Sequence, residues 1–225
     1  MTASLPLALL QQWVEQQLAC AETPWQRGHQ GQLLRYQEDG WDLVIKCPYP
    51  SGWQSYWSRL SLRREYRAYQ RLRQLQGVPR CYGLLPGDFL VLESIAAVPY
   101  RQAAIPKREQ WFQDLLGIIQ GMHECGVAHG DLKRKANLLV TDEGRAIVVD
   151  FGTAWLRRNG WAPVNGWIFR YLVRTDLNAY VKHKYRGHYD QAQGEDSELL
   201  KYSRLERWIS RWRKWRERRR LKRSA

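Results

Sequence analysis

Within "GVAHGDLKRKANLLVTDEGRAIVVDFGTAW", residues 126–155, Asp131 follows a His-Gly pair, Asn137 comes six residues later, and Asp150 opens an Asp-Phe-Gly. An amide and a carboxylate of this kind are hard oxygen donors suited to Mg²⁺. A further carboxylate can orient a hydroxyl or accept its proton. Upstream, Lys46 in "LVIKC" could hold anionic oxygens. Glu65 is the only acidic residue between Asp42 and Asp88. It shares a helical face with Leu62, Tyr69 and Leu72, and a lone acid on the inner face of an Arg-rich helix asks for a cationic partner, for which Lys46 is the natural choice. Each residue also has a plain reading: a turn or cap for Asp131, an exposed strand lysine for Lys46, a helix pair with a neighbouring arginine for Glu65.

These residues need elements to hold them. Periodicity predicts helices over 3–20, 56–76 and 107–124, the last with Trp111, Leu115, Ile118, Ile119 and Met122 on one face. "QLLRY" and "WDLVIKC" around "QEDG" read as a hairpin, and "LLPGDFLVLESI" as two strands around a Pro-Gly turn. "NLLV" and "AIVVD" read as two short strands joined by "TDEGR". Residues 155–190 are mixed, with a helix expected from about Thr175 to Lys184.

At 225 residues, 44% hydrophobic and 26% charged, the chain can bury a real core and is too apolar to be disordered. Cys20, Cys47, Cys81 and Cys125 form no CxxC pair, which argues against a zinc site or a disulfide framework and for reduced thiols. No apolar run approaches the roughly 18 residues of a membrane span. The opening "MTASLPLALLQQW" lacks a basic leader and reads as an amphipathic helix, not a signal peptide.

The order of parts, a Gly-containing loop, a strand Lys, a helix Glu, then His-Gly-Asp, Asn and Asp-Phe-Gly, resembles the protein-kinase-like superfamily over roughly residues 25–185. The resemblance implies an α+β, two-lobed fold with a small β-rich N-lobe and a reduced helical C-lobe. It also implies ATP and Mg²⁺: Asp131 and Lys133 catalytic, Lys46, Glu65, Gly28 and Gly31 on the nucleotide, Asn137 and Asp150 on the metal. Phosphoryl transfer suits such a set, since its catalysis is mostly positioning and charge stabilisation.

The departures matter. "RGHQGQLLRY" offers only Gly28 and Gly31, short of a full glycine-rich loop. Asp131 to Asn137 spans one residue more than the family pattern, so Lys133 fits if counted from Asp131 and Lys135 if counted from Asn137. Gly130 replaces the arginine that pairs with a phosphorylated activation loop, and no Ala-Pro-Glu follows. Asp176 resembles the buried aspartate that anchors the catalytic loop.

These features look like the bacterial lipopolysaccharide core kinases, implying a heptose or Kdo hydroxyl as acceptor on a lipid-anchored sugar. Arg157, Arg158, Arg170 and Arg174 are expected to face that anionic sugar. An atypical, RIO-like protein kinase, an antibiotic phosphotransferase, whose family shares the His-Gly-Asp, and, in another class, a pseudokinase scaffold are the alternatives.

The expected division is an N-terminal helix (1–24), N-lobe (25–96), C-lobe (97–190) and basic tail (191–225). Residues 201–225 hold twelve of the 36 Lys/Arg and two of the 22 Asp/Glu. With Leu205, Trp208, Ile209, Trp212 and Trp215 on one face, the tail suggests contact with anionic lipid at the inner face of the cytoplasmic membrane. Packing of the Trp face on the body is the plain alternative, and nucleic acid a less favoured one. A cytoplasmic site of action is expected.

Overall fold

The computed structural model describes residues 5, 7–19, 26–28, 31–188 and 194–199. Helix α1 (Leu7–Ala19) is followed by strands β1 (Gln26–Gly28), β2 (Gly31–Glu38) and β3 (Trp41–Cys47), helix α2 (Gly52–Arg71), then β4 (Cys81–Leu85) and β5 (Phe89–Glu93). The five strands form one antiparallel sheet in the order β1-β2-β3-β5-β4. Strand alternation divides its two faces. Leu43, Ile45 and Cys47 of β3 pack with Leu34, Tyr36 and Val91 against Leu10 and Val14 of α1. Leu90 and Leu92 point into a second core, shared with α2 and the rest of the chain.

That second half holds β6 (Ala97–Pro99), α3 (Arg108–Glu124), β7 (Val127–Ala128), β8 (Leu138–Thr141), β9 (Ala146–Val148), β10 (Trp155–Leu156), α4 (Pro163–Lys184) and α5 (Glu195–Leu199). β6, β8 and β9 form a small antiparallel sheet, and β7 pairs with β10. Trp111, Phe112, Leu115, Ile119 and Met122 of α3 are buried against Ala179, Tyr180 and Val181 of α4. This is the α+β, two-lobed, kinase-like architecture expected.

Two helices differ in extent from the periodicity. α2 runs 52–71, not 56–76: it starts after Ser51, and at its other end Leu72 turns into the core while its N–H still reaches the Ala68 and Tyr69 carbonyls. α4 begins at Pro163, twelve residues before Thr175. Its buried residues are Phe169 in the first half and Asp176, Asn178, Ala179, Tyr180, Val181 and His183 in the second, whereas Val164 and Trp167 are exposed. With one buried residue before Thr175, the first half carries a weak apolar signal, and the proline at its first turn marks the start. Among the described residues no helix is long and apolar enough to cross a membrane. The tail lies outside them.

Candidate active site

β3 and α2 bring the first pair together. Lys46 sits on the β3 face opposite Leu43 and Ile45, and Glu65 lies one turn beyond Leu62 on the buried stripe of α2. Lys46 Nζ donates to Glu65 Oε1 at 2.7 Å and to Asp150 Oδ1 at 3.3 Å. Burial pulls the ammonium down, but Glu65 and Asp150 outweigh it and hold Lys46 above its ordinary range. Burial likewise pushes Asp150 up, and Lys46 more than reverses this, leaving that carboxyl below the ordinary range. Glu65 is fully buried; burial raises its pKa, and its Oε1 also accepts the Phe151 N–H at 3.3 Å.

Asp150 has left-handed backbone, φ 69° and ψ 71°, uncommon for a non-glycine residue. The turn drives Phe151 into the core, edge-on to Tyr69 with ring centroids 5.0 Å apart, while Asp150 itself lines a cavity of about 460 Å³ between the sheet and β8.

Lys46, Asn137 and Gly31 line the same cavity, and so does Val44 on the sheet side. Asn137 is buried; its Nδ2 donates to the Asp131 carbonyl at 3.0 Å, which leaves Oδ1 as the amide's remaining ligand atom. Gly31, at φ 142°, abuts the next strand so closely that a Cβ would collide with the Cys47 carbonyl oxygen. Gly28 pairs with Gly31 across β1 and β2; residues 29–30 between them lie outside the described residues.

The catalytic loop is held from beneath. Asp176 of α4 is fully buried and accepts from the N–H groups of His129 at 2.8 Å and Gly130 at 2.9 Å. His129 Nε2 donates to the Val149 carbonyl (3.0 Å), so its Nδ1 is free to accept the Asp131 N–H at 3.2 Å. Burial raises the Asp131 carboxyl above its ordinary range, partly offset by Arg134 and His129.

Counting from either end of the loop points to a lysine, and neither lysine lines this cavity. Lys133 is exposed, makes no ion pair among the described residues and does not line the cavity; Lys135 lines a different one. Arg134 lines the cavity and lies 3.8 Å from Asp131 Oδ2. The loop residue that places a cation beside Asp131 in this cavity is thus an arginine, which neither count picks out.

Among the described residues no group of three His, Cys, Asp or Glu could hold a metal. The Asn137 amide oxygen and Asp150 carboxylate, beside each other in one cavity, still fit a hard cation whose remaining ligands come from phosphate and water.

Residues 46–159 match the family model described as RIO1, RIO domain. The chain belongs to the RIO family. Two solved structures share the fold: the Rio2 kinase from Chaetomium thermophilum, at 17% identity and TM-score 0.58, and the Rio2 kinase-ADP/Mg²⁺-phosphoaspartate complex from the same organism, at 17% and 0.56. The first similarity covers 77% of this chain and 60% of that one, the second 87% and 66%, so this RIO chain spans less than two thirds of either. No curated protein sequence matches it. The resemblance to the kinase superfamily thus resolves to the RIO family, and none of these similarities singles out a lipopolysaccharide core kinase.

Proposed function

We propose that this RIO-family chain is an ATP- and Mg²⁺-dependent kinase that transfers a phosphoryl group to a protein hydroxyl. The observation that carries the reading is Lys46 bonded at once to buried Glu65 and to Asp150, in the wall of a cavity also lined by Asn137. A structural ion pair needs one acid; the second, in strained backbone at the cavity wall, is what a cation-binding site requires.

Lys46 would hold phosphate oxygens, with Glu65 fixing its position. Asn137 and Asp150 would hold Mg²⁺, which supplies charge neutralisation of the phosphates. Asp131 would orient the acceptor hydroxyl and take its proton, and Arg134 would meet the negative charge that spreads over the transferred group. Retention of the whole set speaks against a scaffold.

Family membership favours a protein acceptor over a core sugar. The protein is incubated with labelled ATP, Mg²⁺, a protein extract and purified lipopolysaccharide core, with Asp131→Asn as control. Label in the protein fraction, absent with the variant, is the expected result. Label confined to the lipopolysaccharide would instead restore the sugar acceptor, and absence of label in both would favour the scaffold.

A further inference from the structure

The catalytic loop lines two cavities with alternate residues. Arg134, Ala136 and Asn137 line the one described above; Lys135 lines another, of about 570 Å³, with Arg101, Arg108, Lys182 and Arg186. That volume lies within the roughly 300–1,000 Å³ of small-ligand sites. Tyr100 and His183 complete its polar wall.

Five cationic side chains thus surround one space, and among the described residues no Asp or Glu lines it. The nearby carboxylates are taken: Glu109 and Asp196 both bind Lys184, at 2.6 and 2.7 Å. Arg108 is braced by the Lys184 carbonyl at 2.6 Å, which neutralises none of its charge. The crowding is felt at Lys135, whose ammonium is lowered by burial and then by Arg101 and Lys182. Like charges gathered without a counter-charge oppose folding, and a polyanion in the cavity relieves them.

The wall of this cavity touches the loop directly. His183 is buried, and burial holds its imidazole below the ordinary range. Its Nε2 donates to the carbonyl of Leu132, the residue after Asp131, at 2.8 Å, and its Nδ1 faces the Tyr100 hydroxyl at 2.9 Å.

We propose that this second cavity is a binding site for a phosphate-bearing anion, seated against the catalytic loop through Lys135. Guanidinium groups bind phosphate oxygens in pairs, and arginines supply three of the five cations. The site stands whether or not the first cavity binds nucleotide. If the kinase reading holds, an anionic group on the acceptor or a free phosphate compound can occupy it.

The test titrates pyrophosphate and, separately, a phosphoserine peptide into the whole chain by calorimetry, with and without saturating Mg·ADP. Saturable binding that persists with Mg·ADP is expected, at least tenfold weaker in Arg101→Glu/Lys182→Glu. Both substituted residues are exposed, so folding should survive; circular dichroism checks this, and Arg101→Gln/Lys182→Gln should weaken binding less. Arg73→Gln, at an exposed arginine that does not line the cavity, should bind as the parent does. Equal affinity for both probes marks a free-anion site, and preference for the peptide an acceptor-borne group. Unchanged affinity in the charge reversal, loss of all binding under Mg·ADP, or tight RNA binding without pyrophosphate binding would overturn the proposal.

Discussion

At Asp131 the surroundings pull in opposite directions. Burial raises the carboxyl, while Arg134 and His129 favour its charged form. If Asp131 acts as a base it must be ionised, so the acidic limb of kcat/KM follows its titration and lies above the ordinary aspartate range. Arg134→Gln removes a group that favours the carboxylate; the limb should therefore move to higher pH, which a pH–rate profile reads directly. Asp131→Asn should lower kcat on the order of 10²- to 10⁴-fold and leave Mg·ATP affinity nearly intact. Asp150→Asn should weaken Mg·ATP binding as well, as equilibrium titration would show. An unchanged acidic limb in Arg134→Gln would remove Arg134 from the site.

At the scale of elements, one ion pair ties α2 to β3. Lys46→Met leaves the Glu65 carboxylate fully buried without its cation, and breaking such a pair costs about 3–5 kcal/mol. Arg35→Ala, which opens the half-exposed pair with Asp42, should cost at most about 1 kcal/mol. Urea denaturation of the two variants compares them, and equal midpoints would show that Glu65 is protonated or rehydrated in the variant. Asp176→Ala strips the acceptor from the His129 and Gly130 N–H groups. Each orphaned buried group costs about 1–3 kcal/mol, so this variant should be strongly destabilised, whereas Asp176→Asn, which keeps one acceptor oxygen, should lose less.

At the scale of the whole molecule, charge is uneven. The chain carries a formal +14, with twelve Lys/Arg in residues 201–225. We propose that this tail contacts anionic lipid: each basic residue near such a surface adds about 1 kcal/mol, weakened by salt. Deleting residues 204–225 should release the protein from phosphatidylserine vesicles in a sedimentation assay and leave its melting temperature unchanged. Vesicle binding that survives the deletion would exclude the tail as the contact; a fall in melting temperature would show that its tryptophans pack on the body.

Local pattern sufficed for much of this protein. The β2–β3 hairpin, the apolar stripe of α3, and the pairing of Lys46 with Glu65 were legible because each is written in short-range periodicity or in the scarcity of a charge: one acid among 45 residues has few ways to be buried. The roles of Asp131, Asn137 and Asp150 were legible only through the resemblance of their order to the kinase-like superfamily. What tertiary structure decided were matters of direction. A loop of consecutive cations, Lys133-Arg134-Lys135, sends one side chain to solvent and one to each of two cavities, and no local rule distinguishes them. His183 and Arg101, 82 residues apart in the chain, line one wall only because α4 packs on α3 and returns its last turn beneath the loop. Burial and cavity walls arise from contacts between distant segments, and those exist only once the chain has folded.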